Sequence, residues 1–282
     1  MESEKLVSVI IPTCNRDLCY VLKAIKSIKQ QTYKNYEIIL VDDNICNSIY
    51  SLNIKKYCKE HNIKYLKTKG RQGANAARNM GAHFANGNYL AFLDDDDICL
   101  PNKLEVQLKC FSNNIGMVYS NGYVFTQNST SLYTNPKNFI SKGNFYKLLL
   151  YNYIGPTITA LIKKECFFDV GMFDENMPSK QDYDLWIRIS EKYKIVGINQ
   201  PLFIYMRHDS YQISKDYNLI LEGYKKLYKK YKKYFINDNI LNSFFYLKIA
   251  KIYKYKKRYF KYIKYIFLAF LNIRNENLNI LF

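Results

Sequence analysis

Three short runs of almost unbroken apolar residues dominate the first hundred positions: LVSVII at 6–11, YEIILV at 36–41 and YLAFL at 89–93. None alternates with polar residues, so each reads as a strand covered on both faces, the signature of a parallel sheet between helices. Each stops at hard punctuation: Pro12 after the first, Asp42-Asp43-Asn44 after the second, Asp94–Asp97 after the third. Helical periodicity fills the gaps, with apolar residues at Leu18, Val21, Leu22, Ile25 and Ile28 in 18–31, a weaker stripe in 49–61, and an Ala-rich helix over 73–86 ended by Gly87. A short strand is expected at 63–66. Strand and helix alternating at this spacing mean βαβ units, so the fold class is α/β with a mainly parallel central sheet. In such sheets ligands sit at the carboxyl ends of the strands, which is where the acidic clusters fall.

Beyond Pro101 the pattern becomes α+β: a helix over 102–111, a strand over 117–125, a loop over 127–143, strands at 158–163, 195–198 and 202–206, and a helix over 182–193. This part is expected to complete the same domain, giving one unit over 1–214. From about Asn218 the chain is helical and rich in Tyr and Lys, a separate extension over 215–282. Of the net charge of +18, +12 falls in that last quarter. From Phe244 apolar positions recur at three and four, with lysines between them, an expected basic amphipathic helix over 244–270. Two alternatives stay open: a helix lying on an acidic membrane surface, or a hairpin packed on the catalytic domain with a solvated basic face.

The seven cysteines contain no C-x-x-C pair and fit neither a zinc site nor a disulfide framework. The first residues show no leader pattern and no apolar run reaches the roughly 20 residues of a spanning helix. The expectation is a cytoplasmic protein, peripheral at the inner face of the cell membrane.

Four adjacent carboxylates at Asp94–Asp97 repel one another unless cations offset them. Alternate carboxylates together with phosphate oxygens and water suit Mg²⁺ or Mn²⁺. The plain alternative is a solvated acidic turn.

Four ordered motifs, VSVIIPTCNR (7–16), QTYKNYEIILVDDN (31–44), GANAARNMGAHFANGNYLAFLDDDD (73–97) and QDYDLWIRI (181–189), resemble those of family 2 glycosyltransferases of the GT-A fold, over about residues 6–210. The resemblance implies a nucleotide-binding half over 1–100 and an acceptor-binding half over 101–214. It implies that the turn of Pro12, Thr13 and Asn15 meets the donor's uridine, that Asp43 accepts a bond from the uracil ring, and that Arg78 pairs with an acid of the base pocket. Asp94-Asp95-Asp96 stands as the D-x-D motif, with Asp94 and Asp95 on the donor and Asp96 on Mn²⁺ or Mg²⁺, although a register shift by one is open. Asp182 takes the place of the catalytic base, and Leu185 and Trp186 that of core residues. YMRHDSYQIS (205–214) is similar to a further family segment, in which His208 would ligate the metal or bind diphosphate. The implied function is inverting transfer of a sugar, from a UDP-sugar, to an acceptor hydroxyl of a glycan or lipid-linked glycan in bacterial surface polysaccharide synthesis. Two rivals remain: a catalytically inactive partner subunit, and a protein binding nucleic acid through its basic tail, for which no recognisable module is present.

Overall fold

In the computed structural model, residues 5–127, 129–207 and 215–274 are described. The first hundred residues run β1 (Val7–Thr13), α1 (Leu18–Lys29), β2 (Tyr36–Asp42), α2 (Ile49–Glu60), β3 (Lys64–Lys67), α3 (Ala74–His83), β4 (Tyr89–Phe92) and a two-residue β5 (Ile98–Cys99). β3, β2, β1 and β4 lie side by side in that order, all parallel.

Their unbroken apolar runs follow from cover on both faces. Val7, Val9 and Ile11 of β1 face α1 and α2, packing with Val21, Ile25, Ile28 and Ile54. Ile10 faces the other way with Ala77, Ala82, Phe92 and Phe167. α3 approaches β1 so closely that a Cβ on Gly81 would lie 2.4 Å from Ile10 Cγ2.

The chain continues with α4 (Lys103–Lys109), β6 (Ile115–Phe125), β7 (Thr130–Leu132), α5 (Phe145–Leu150), β8 (Ala160–Lys163), α6 (Lys164–Asp169), α7 (Gln181–Lys192) and β9 (Lys194–Met206). Here the sheet becomes mixed: β8 is antiparallel to both β4 and β6, while β9 runs parallel to β6 and antiparallel to β5. β7 pairs with β6 inside the stretch expected to be a loop. The two strands expected at 195–198 and 202–206 are one, β9, whose pairing with β6 shifts register where Asn121 meets Pro201. A proline cannot donate to the ladder, and the irregularity absorbs it.

The last part is α8 (Tyr217–Lys230), α9 (Lys232–Ile236), α10 (Asn239–Tyr255) and α11 (Tyr259–Arg274). The basic stretch 244–270 is therefore two helices, broken where Lys257 turns left-handed at φ 54°. α10 sends Phe245, Ile249, Ile252 and Tyr253 into the same core as Trp186 and Leu185 of α7. α11 packs on α10 through Tyr262, Tyr265 and Ala269, and leaves Phe260, Ile263, Phe267 and Phe270 exposed. Both alternatives left open by the sequence thus have a counterpart: a packed hairpin, with an apolar stripe still facing outward.

Candidate active site

Where β1, β2 and β4 end, their turns border a cleft of about 590 Å³. Pro12 and Thr13 close β1, and Asn15 takes a left-handed turn at φ 50°. Its backbone N–H donates to Asn44 Oδ1 at 2.6 Å, which ties the β1 turn to the β2 turn.

The two acids that end β2 part company. Asp42 is fully buried and accepts hydrogen bonds from the Ser51 and Tyr65 hydroxyls and from the backbone and side-chain nitrogens of Asn44. Burial alone would raise its pKa, but those donors hold it below the ordinary carboxylate range. Asp43 lines the cleft. Its Oδ1 accepts from Thr68 Oγ1 at 2.5 Å and Gln72 N at 2.9 Å, and its Oδ2 from Gly73 N at 2.8 Å. A carboxylate offers about four lone-pair sites, so capacity remains for a donor arriving from the cleft. Its three bonds fix the loop that launches α3 at Gly73, where a φ of 95° suits glycine.

α3 delivers Arg78, buried yet on the cleft wall. Its partner is Asp94 (Nη2 to Oδ1, 2.5 Å) rather than an acid of the β2 turn. The Phe173 ring lies 5.5 Å beneath the guanidinium. Arg78 Nε has no hydrogen-bond partner among the described residues.

The four aspartates after β4 divide in a way the sequence could not mark. Asp94, Asp95 and Asp96 line the cleft. Asp97 turns inward, where its Oδ1 accepts the backbone N–H of Met206 at 2.9 Å and fastens the end of β9. Burial holds the Asp97 pKa well above the ordinary range, reinforced by Asp94 and Asp96. Asp95 accepts from Thr13 Oγ1 at 2.7 Å and from Arg16 Nε at 3.1 Å, and Asp96 from Arg16 Nη2 at 3.0 Å. Burial pushes Asp95 up to about 6, against the pull of Arg16 and Thr13.

Among the described residues no three His, Cys, Asp or Glu side chains form a ready metal site. Mg²⁺ and Mn²⁺ do not need one: with substrate phosphates and water in place, one or two protein carboxylates suffice. The hard oxygens of Asp95 and Asp96, already drawing a cation to themselves, fit that donor set. His208 lies outside the described residues.

The cleft's remaining border comes from α7 and the turn before it. Lys180 precedes the helix in a left-handed conformation at φ 62°. Asp182, in the first turn, lines the cleft, and its Oδ1 accepts the Tyr183 backbone N–H at 2.6 Å. Burial raises its pKa, with Lys180 the chief opposing influence. Asp184, two residues on, points away: fully buried, it pairs with Arg188 at 2.9 Å and Lys230 at 2.8 Å and accepts from the Tyr231 hydroxyl at 3.0 Å. Trp186 donates its indole N–H to Gly155 O from the core.

One cleft thus gathers Pro12, Thr13, Asp43, Arg78, Asp94–Asp96 and Asp182, with Asn15 in the turn that closes it. Sequence reasoning missed Arg16, Lys180 and Tyr205 around the same cleft. Arg16 ends the first motif and Tyr205 opens the segment 205–214, signals that were available; Lys180 carried none.

The chain matches the sequence profile of Glycosyl transferase family 2 over residues 8–176. An uncharacterized glycosyltransferase of Rickettsia conorii is 35% identical over 200 residues, 70% of this chain and 32% of that protein, so the chain spans about a third of that relative's length. An Escherichia coli protein named UDP-Glc:alpha-D-GlcNAc-diphosphoundecaprenol beta-1,3-glucosyltransferase WfgD is 32% identical over 196 residues, 69% of this chain and 73% of its own. Among solved structures, S. aureus TarS in complex with UDP-GlcNAc superposes with a TM-score of 0.62 at 16% identity, covering 79% of this chain and 66% of that one. The architecture is GT-A, and the chain belongs to glycosyl transferase family 2, a family of sugar transferases.

Proposed function

We propose that the chain transfers a sugar from a UDP-sugar to a hydroxyl of a glycan or lipid-linked glycan acceptor, with inversion at the anomeric carbon and with Mn²⁺ or Mg²⁺. The observation that carries this reading is the single cleft in which Asp43, Arg78 and Asp94–Asp96 meet Asp182, a carboxylate from a distant part of the chain. The E. coli relative named for a UDP-Glc donor and a lipid-diphosphate acceptor, and the UDP-GlcNAc complex of TarS, support the choice of donor and acceptor class.

In this reading the β1 turn and Asp43 hold the uridine, Asp43 accepting the ring N–H. Asp182 takes the proton of the acceptor hydroxyl as its oxygen bonds to the anomeric carbon; its raised pKa makes it a stronger base than a solvated aspartate. The bond from that carbon to the donor diphosphate breaks in the same step, and the electron pair leaves with the UDP. Arg78, paired with Asp94 on the cleft wall, would help Asp43 hold the nucleotide so that attack is in line. A divalent cation bound at Asp95 and Asp96 would neutralise the leaving diphosphate.

A panel of nucleotide-sugars offered to the purified chain, with and without Mn²⁺, tests the reading. Hydrolysis of a UDP-sugar that needs the metal and is lost in Asp96→Ala is the expected result; turnover of another nucleotide's sugars, or none, refutes it.

The same proposal places the chain on an acidic membrane surface at the cytoplasmic face. No helix of the described residues is long and apolar enough to cross a membrane. The contact would be narrower than 244–270, because the apolar face of α10 is spent on the core. Phe260 (86% exposed), Ile263 (64%), Phe267 and Phe270 (59% each) share one side of α11. Residues 239–274 carry nine Lys or Arg and no Asp or Glu, so charge selects anionic lipid. Replacing Phe260 and Phe267 with Ser should reduce co-sedimentation with phosphatidylglycerol vesicles by tenfold or more, roughly the loss of two buried aromatic anchors. Unchanged sedimentation would refute the surface role.

A further inference from the structure

The acidic turn after β4 already holds a cation, and it belongs to the chain. Arg16 reaches across from the β1 turn, with Nε on Asp95 at 3.1 Å and Nη2 on Asp96 at 3.0 Å. One planar fork thereby bridges both carboxylates, a geometry that arginine alone among the side chains supplies. The remaining oxygen of Asp95 is taken by Thr13. The carboxylate pair to which the metal is assigned above is thus partly neutralised before any metal arrives.

A divalent ion on Asp96 and a guanidinium on the same carboxylate would repel each other at close range. Arg16 can leave. Its side chain is about a third exposed at the cleft, and its other neighbour is the face of Tyr20, 5.6 Å away. The backbone before it is pinned by the Asn15 to Asn44 bond, so a rotation of the side chain suffices. A guanidinium released into this cleft needs a new anion, because Asp94 is engaged with Arg78, Asp43 keeps a single lone-pair site, too few for the fork, and Asp182 stands on the α7 border. The diphosphate of the donor is an anion of the right shape for the same fork.

We propose that Arg16 is the resident counter-cation of the acidic turn and is exchanged for the metal when the nucleotide binds, passing from Asp95 and Asp96 to the diphosphate. This rests on the metal and donor assignment made above and adds a consequence to it. Metal alone meets an occupied site and binds weakly. Metal and nucleotide together free Arg16 and then hold it, so each strengthens the other. Arg16 is a positioning residue: it keeps the two carboxylates converged in the empty enzyme and couples the two ligands on arrival.

Calorimetry of the full chain with Mn²⁺ alone, UDP alone and both tests the exchange, on wild type, Arg16→Gln and Arg16→Lys, after thermal melts show all three folded. In Arg16→Gln, Mn²⁺ alone should bind at least about tenfold tighter, the equivalent of one charge-assisted hydrogen bond no longer competing. The factor by which UDP tightens Mn²⁺, which by linkage equals that by which Mn²⁺ tightens UDP, should fall by a similar amount. Arg16→Lys keeps the charge without the fork and should lie between. Equal or weaker binding of Mn²⁺ alone by Arg16→Gln, with wild-type coupling intact, overturns the exchange while leaving the metal reading in place. If wild type bound no Mn²⁺ even with UDP, and EDTA left UDP affinity unchanged, the metal reading would fall and the exchange with it.

Discussion

The border of the cleft that β1, β2 and β4 build has its carboxylates matched inside the protein. Asp43 has three donors, Asp94 has Arg78, and Asp95 and Asp96 share Arg16. The border that α7 builds is different. Lys180 lines it, and Lys248 of α10, which is not among the lining residues, shares an aromatic neighbour with it: the two lie 5.2 and 5.9 Å from the centre of the Tyr224 ring. Neither forms an ion pair with a carboxylate among the described residues. Desolvation pulls the Lys248 pKa down to about 8, helped by the charge of Lys180. On the first side a ligand meets carboxylates that already have partners. On the second, cations are kept against their cost by aromatic faces and by residual contact with water. The carboxylates of α7 show the same contrast within one helix: Asp182 is open to the cleft, Asp184 is locked by three partners.

That last contrast can be broken most forcefully by two substitutions two residues apart. Asp182→Asn preserves shape but cannot accept a proton, and transfer should fall by about 10²–10⁴-fold with the melting temperature nearly unchanged. Asp184→Ala should do the reverse. It leaves Lys230 and Arg188 facing a buried void and should cost about 2–3 kcal/mol of stability, less than a fully buried pair because Lys230 keeps some solvent. Rate and denaturation measurements on the two variants would show whether the roles separate. In wild type, the acid limb of the rate profile should lie above the ordinary aspartate range, since burial raises the pKa of Asp182, the proposed base.

Lys248→Met probes the other half of the comparison with a smaller effect. A lysine whose pKa is lowered in the fold binds its proton less well there than in the unfolded chain, so charging it costs stability below pH 8. The variant should be more stable than wild type at pH 7 by about 1 kcal/mol or more, after allowance for solvent screening. The gap should close as pH rises from about 8 to 10.5, where wild type loses the charge in both states. Urea titrations at pH 7 and 10 measure it; a variant less stable at pH 7 would mean that packing of the lysine over Tyr183 and Tyr224 outweighs its desolvation.

How much of this was legible in the chain depends on whether the signal was local. β1, β2 and β4 announced themselves because burial on both faces demands unbroken apolar runs, and of the acids that end them Asp43 and Asp94–Asp96 line the cleft while Asp42 and Asp97 turn inward. β7 was missed because its three residues are exposed and are strands only by virtue of bonding to β6. α5 and α6, six residues each, are too short for a period to emerge. Among the site residues, Asp97 could not be told from Asp96 because its inward turn is decided by Met206, 109 residues away. Arg16 acquires its role from carboxylates 79 and 80 positions on. Lys248 meets Tyr183 across 65. Residue type and spacing report chemistry within an element; which charges meet across elements is set by the packed fold.

The lock on Asp184 also has a consequence in time. Arg188 lies one turn further along the same helix, but Lys230 follows 46 positions later. A ribosome adding roughly 5–20 residues per second needs several seconds to supply it. During that interval the parallel strands and their turns are complete in sequence, while the helix that bears Asp182 still lacks the clamp that seats it. In the nascent chain, the border of the cleft built by the parallel strands can be synthesised in full before the α7 border has its clamp.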